Sequence, residues 1–348
     1  MAGAVRLFQQ GAEGDLHKSD NGKTALLAFA VVTLCTETAW AEAQVEHGSF
    51  SILVENDLFY RSDRDYSSGV EFAYTTAPDE TPDILVATAR GLSGLFSSGE
   101  VRASYELGQD IFTPAATQLA NPPLTQRPYA GFLWAGVAIL TKDAQRLNQL
   151  EMQVGVIGPA SLAANAQIFT HSILGEPKPQ GWHYQLRDEP ALQFTYERTY
   201  KIIPPRSGLG LVFDVEPHLG AAAGNVYDYV NAGAMARAGI NLPDDFGPLR
   251  LQPALPGSNF FEAPRGFSAY AFVGVDARAI ARNLFLDGNT FESSRHVEKN
   301  LLVGDLQLGL ALAVDRVRLS FTHVFRTREY RTQPHSDQFG AINLTVQT

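Results

Sequence analysis

Residues 303–315, VGDLQLGLALAVD, and 316–329, RVRLSFTHVFRTRE, decide the fold. In the first run Leu306, Leu308, Leu310, Leu312 and Val314 share one parity, while Asp305, Gln307, Gly309, Ala311 and Ala313 share the other. In the second, Val317, Leu319, Phe321 and Phe325 alternate with Arg316, Arg318, Ser320, Thr322 and Arg326. Successive side chains of a strand point to opposite faces, so each run is a strand with one apolar and one polar face. Only Asp315-Arg316 separates the two runs, which makes them a tight hairpin.

The same alternation recurs along the chain. Leu192, Phe194 and Tyr196 alternate with Gln193, Thr195 and Glu197, and Leu150, Met152 and Val154 with Gln149, Glu151 and Gln153. Twelve strands are predicted, over 49–59, 67–77, 101–110, 130–141, 147–156, 190–201, 209–219, 226–239, 266–279, 303–315, 316–330 and 337–347. A soluble β-sandwich also alternates, with its apolar face in the core and its polar face solvated. Three features favour an all-β, antiparallel transmembrane barrel. The runs reach ten or more residues, their number is even, and the polar parity mixes Glu, Asp, Arg and Gln as a wet lumen would. Phe50, Phe59, Phe72, Tyr74, Trp134, Tyr196 and Tyr227 fall near strand ends, where interface girdles belong.

The composition agrees. With 45% hydrophobic, 18% charged and 10% aromatic residues, the chain is too apolar to be disordered. A net charge of −10 argues against nucleic-acid binding. No run of 18 apolar residues follows residue 40, so strands and not helices must do any spanning. At the front, Lys18 and Lys23 precede TALLAFAVVTL at 24–34, and Ala39-Trp40-Ala41 follows it. This is the grammar of an export signal over 1–41, removed to leave a barrel of 42–348. Cys35, the single cysteine, leaves with it, which excludes disulfides and cysteine chemistry from the mature chain.

With both termini on the periplasmic side, the outward loops are roughly 60–66, 111–129, 157–189, 220–225, 280–302 and 331–336. Two connections on the other side, 78–100 and 240–265, are long for periplasmic turns, and DILVATARGLSGLF in the first reads as a short helix. Polar residues gather at the outward rim: Glu55, Asn56, Asp57, Asp65, Ser67, Gln109, Asp110, Arg127 and Tyr129, with His171 in the longest loop. By parity Asp57, Ser67 and Asp110 point into the lumen. Asn56 has lipid-facing parity and needs a bulge or a strand end to turn inward. Residues 170–174 read as one or two helical turns ending at Gly175, which would hold His171 over the barrel mouth. Of the other histidines, His183, His218, His296 and His335 read as surface groups, and His323 has an unexplained lipid-facing parity.

The strings VENDLFYRSDRDYSSG (54–69), GQDIFTP (108–114), RPYAGFL (127–133), GVIGPASL (155–162), THSILGEPKPQGWHYQL (170–186), GNVYDYVNAG (224–233) and ARNLFLDGNTF (281–291) resemble, in order, the outer-membrane lipid A deacylase family, the 3′-O-deacylases. The resemblance covers about residues 49–347. It implies a twelve-stranded barrel of the bacterial outer membrane that hydrolyses an ester-linked acyl chain of lipid A in the outer leaflet and requires calcium. It matches the family's Asn-Asp pair to Asn56 and Asp57, its strand-opening hydroxyl to Ser67 and its loop histidine to His171. A family lysine falls on Leu119 or a neighbour, and a family glutamate is Glu176, displaced by one residue, or is absent. Histidine ordinarily titrates near pH 6.5, which suits a general base. Asp57, Asn56 and Glu176 offer the oxygen donors that Ca2+ prefers. The implied partner is lipopolysaccharide, and a monomer is expected. A phospholipase with Ser67 as nucleophile and a non-catalytic barrel are the alternatives.

Overall fold

The computed structural model describes residues 47–57, 65–96, 98–202, 210–248 and 259–348. The expected leader, Phe59 and nearly all of the 202–208 turn lie outside the described residues. The predicted strands are all present: β1 (Ser49–Asn56), β2 (Asp65–Thr75), β3 (Glu100–Thr113), β4 (Ala130–Lys142), β5 (Arg146–Ile157), β6 (Glu189–Tyr200), β7 (Val212–Gly224), β8 (Tyr227–Ile240), β9 (Phe267–Asn283), β10 (Leu302–Val314), β11 (Val317–Arg326) and β12 (Asp337–Gln347). Each strand pairs antiparallel with its sequence neighbours, and β1 pairs β12 from Ser49↔Gln347 to Asn56↔Gly340, which closes the barrel. The β10–β11 hairpin turns at Asp315, whose φ of 49° is a left-handed conformation that aspartate tolerates.

The outer face is apolar. Leu306, Leu308, Leu310, Leu312 and Val314 are exposed, while Asp305, Gln307, Ala311 and Ala313 are buried inside. Phe50 and Phe72 point outward as expected. Trp134 and Tyr227 do not. They turn inward and join Tyr66, Phe112, Phe132, Tyr229, Phe285 and Phe339 in an aromatic core that fills the half of the barrel nearer the long loops.

Below it, the inward face of β7 to β11 carries buried charged side chains, many of them paired. Arg237 binds Asp214 at 2.6 Å and Glu216 at 2.8 Å. Arg278 and Arg326 share Asp305 at 2.7 and 2.9 Å. His218, expected at the surface, is buried against Asp276 at 3.0 Å. Isolated charges in such a space are costly, and each of these arginines meets a buried carboxylate.

The two long connections acquire structural roles. The first contains the expected helix, α1 (Asp83–Gly91), and packs Ala89 and Phe96 on the outward-facing Val101 and Ile139. The second folds back into the barrel. Phe246 and Phe260 pack with Ala138 and Leu140, and Asn259 donates to Glu106 at 2.6 Å. Asp245 accepts from both Arg237 and Arg318, and the Arg318 guanidinium stacks 4.6 Å over Phe261. Asp245→Ala takes from Arg318 its buried carboxylate and should cost about 3–5 kcal/mol. The temperature at which the barrel loses its folded gel mobility should fall, and an unchanged temperature would show that Asp245 does not hold the plug.

Candidate functional site at the outer wall

The loop between β5 and β6 carries the second helix, α2 (Ala163–Leu174). A 3-10 turn at Pro159–Ser161 leads into it, and Gly175 ends it with φ 77°, a left-handed cap suited to glycine. The buried face of α2 is Ala163, Gln167 and His171, spaced by four residues each.

That face does not lie over the barrel mouth. On β4 the even residues Phe132 and Trp134 face the interior, so Gly131 faces out. A Cβ on Gly131 would lie 2.2 Å from both Ala163 Cβ and Ser161 Oγ. Ile111, outward-facing on β3, packs with Tyr129, Ala163 and Trp182. Gln109 Nε2 donates to Ser161 O at 2.6 Å, and Trp182 Nε1 donates to Gln167 Oε1 at 2.8 Å. The helix therefore rests on the outer wall at β3 and β4. Glycine is needed at 131 because only a strand without a side chain lets a helix approach so closely.

The sheet register carries that level of the wall to the predicted site residues. Gly131 pairs Ile111, Ile111 pairs Ser68, Ser68 pairs Asn56, and Asn56 pairs Gly340. Asn56 thus keeps its outward parity and does not turn inward. Ser67 departs from its expected lumen parity. The β2–β3 register shifts between Tyr66 and Ser68, so Ser67 is the extra residue of a bulge. Tyr66 points in, its hydroxyl donating to Asp110 at 3.3 Å. Ser67 Oγ lies 2.6 Å from Thr113 Oγ1, on the outer parity of β3. A bulge places two residues opposite one, which is how the hydroxyl leaves the interior.

Asp57 is wholly buried just beyond β1. His171 is buried, and its Nδ1 lies 2.7 Å from the Pro177 carbonyl. A carbonyl only accepts, so Nδ1 carries the proton and Nε2 is the basic nitrogen of the neutral ring. Glu176 is exposed after the helix, as are His183, His296 and His335. Leu119 is exposed and carries no charge. Among the described residues no three His, Cys, Asp or Glu side chains gather as a metal cluster.

The other rim residues Asp110, Asp65 and Arg127 are held by neighbours within the barrel. Asp110 accepts from Trp134 Nε1 at 3.0 Å, and Asp65 accepts from Tyr330 at 3.0 Å. Arg127 lies over the Phe112 ring at 4.7 Å and binds Glu329 at 3.0 Å. Burial works to lower the pKa of Arg127, but the charges of Glu329 and Asp65 outweigh it and hold the guanidinium above its ordinary value. Sequence reasoning missed Gly131, Thr113, Gln167 and Trp182. Glycine at an outward position of a lipid-facing strand was the one available signal.

The family profile described as "Outer membrane protein LpxR" matches residues 26–348. Among solved structures, LpxR from Salmonella typhimurium is similar at 22% identity and a TM-score of 0.69, covering 86% of this chain and 99% of that one. The beta domain of the Bordetella autotransporter BrkA is similar at 8% identity and a TM-score of 0.42, covering 86% and 98%. A search of curated proteins gives no match. The contact at Gly131 generates a test of where the helix sits. Gly131→Val should lift the start of α2 from the wall and speed limited proteolysis within 159–180, with folded gel mobility unchanged. Equal proteolysis rates would show that this contact does not seat the helix.

Proposed function

We propose that this chain, which belongs to the LpxR family of outer-membrane proteins, is a lipid A deacylase that hydrolyses an ester-linked 3′-O-acyl chain in the outer leaflet. The observation that carries the reading is the seating of α2 on the apolar outer wall. A substrate anchored by acyl chains reaches that wall without leaving the bilayer. Among the described residues the interior holds aromatic rings and ion pairs, which favours the outer wall over the lumen and disfavours a pore.

Simple geometry supports a site between helix and wall. Three strand intervals separate Gly131 from Asn56, about 14 Å. Eight helical residues separate Ala163 from His171, about 12 Å. A helix starting at Gly131 and running across β3 and β2 would bring His171 to the level of Asn56 and Ser67.

In this mechanism His171 Nε2 takes a proton from water while Nδ1–H stays bonded to Pro177 O. The water oxygen attacks the ester carbonyl, whose oxygen becomes the oxyanion. The Asn56 amide and the Ser67 hydroxyl orient the reacting groups. Collapse of the tetrahedral intermediate breaks the acyl–oxygen bond, and the sugar alkoxide takes the proton from His171. The products are a fatty acid and a lipid A with one more hydroxyl. Ser67 is held by Thr113, which is not a base, so it suits positioning better than nucleophilic attack. Asp57 and the Asn56 amide are hard oxygen donors of the kind calcium takes, with Glu176 as the third donor of the proposal. A bound Ca2+ would supply polarisation of the ester carbonyl.

The test is mass spectrometry of lipid A from Gram-negative cells expressing the protein. Wild type should remove one acyl chain, His171→Gln should lower turnover about 100- to 10,000-fold, and the exposed His183→Ala should change little. No mass loss with wild type rejects the deacylase reading, and full activity of His171→Gln moves the base elsewhere. For the metal, chelation should abolish turnover, and Asp57→Ala should raise the calcium needed for half activity while folded gel mobility persists. Normal activity of Asp57→Ala at limiting calcium removes it from the ligand set.

A further inference from the structure

The lipid-facing histidine that the sequence left unexplained lies at the same level of the wall as Asn56. His323 pairs Gly340 across β11–β12, and Gly340 pairs Asn56 across β12–β1. His323 and Asn56 are thus two strand intervals apart, about 10 Å, with only a glycine between them. On the same outward parity as Gly340, Gln338 presents its Oε1 3.2 Å from His323 Nε2. The Phe325 ring, centred 4.0 Å from the imidazole, limits its orientations.

The residues one row farther from the loops differ in character. Phe321 pairs Ile342, Ile342 pairs Val54, and Val54 pairs Val70. The wall therefore changes within one row from Phe, Ile, Val and Val to His, Gly, Asn and Ser. Polar groups on a lipid-facing wall are expensive and mark function by default. This row lies on the far side of Asn56 from the wall beneath α2, so it continues the proposed site in a direction the helix does not cover.

We propose that His323 and Gln338 form a substrate-binding subsite that hydrogen-bonds a hydroxyl of the glycolipid headgroup while the apolar row beside it receives acyl chains. The inference rests on the deacylase reading. An imidazole and an amide side by side offer both donors and acceptors, as a hydroxyl requires, whereas a phosphate oxygen needs donors only. His323 is a binding residue here and takes no part in the proton transfers assigned to His171.

The experiment compares wild type, His323→Leu, His323→Gln and Gln338→Leu in a lipid A hydrolysis assay with purified protein. Leucine suits a lipid-facing wall, so the barrel should fold, and gel mobility checks this. Loss of one neutral hydrogen bond should raise KM for His323→Leu about 3- to 10-fold with kcat within about twofold. Gln338→Leu should raise KM less, and His323→Gln should restore it toward wild type. The same increase with dephosphorylated lipid A is expected, whereas its disappearance overturns the hydroxyl assignment in favour of phosphate. An unchanged KM in His323→Leu, or a fall in kcat alone, overturns the subsite. A parallel binding measurement in the His171→Gln background keeps the two readings apart. If wild type binds lipid A but does not cleave it, the deacylase reading fails and the Kd ratio of the His323 variants still decides the subsite. Absence of both binding and cleavage overturns both.

Discussion

Lipid offers the backbone no hydrogen-bond partner, and a strand at the edge of an open sheet would leave a row of amides and carbonyls unmet. The pairing of β1 with β12 removes that edge, and the rest of the molecule follows from it. Closure divides every strand into an outer and an inner set of side chains. It also locks the registers that align Asn56 with Ser68, Ile111 and Gly131 on one side and with Gly340 and His323 on the other.

Closure creates a second problem, because twelve strands enclose more space than a row of side chains fills. Here the interior is occupied from two ends. Aromatic rings take the half nearer the long loops, and the connection after β8 returns Asp245, Phe246, Asn259, Phe260 and Phe261 into the other half. Arg237 and Arg318 converge on Asp245, so the plug is fixed by charge as well as by packing. With aromatic rings and the plug inside, the outer wall and the loops are the surfaces a membrane lipid meets.

The fold was legible because strand period and lipid exposure leave a direct mark on sequence, most clearly in β10 and β11. The plug was not legible. Pro- and Gly-rich connections have no period, and nothing in 240–265 announces which arginines it will meet. The placement of the candidate site residues was not legible. His171, Asn56, Asp57 and Ser67 were matched through the family resemblance, whereas parity sent Ser67 to the lumen and the helical turn at 170–174 was set over the mouth. Trp134 and Tyr227 failed similarly, since strand-end aromatics suit a girdle and an inner core equally well until the neighbouring strands are known.

The displacement of Ser67 shows how small a change redirects a site. With strict alternation its hydroxyl would face Asp110 and the aromatic core, where acyl chains have no access. One extra residue in β2 makes Tyr66 the inward residue, with its hydroxyl on Asp110, and sets Ser67 beside Thr113 on the outward parity. The disruption of the ladder is confined to that residue, because Asp65 still pairs Thr113 and Ser68 still pairs Ile111. The same bulge satisfies a buried carboxylate inside and presents a hydroxyl outside. It sits at the level where the wall changes from apolar to polar.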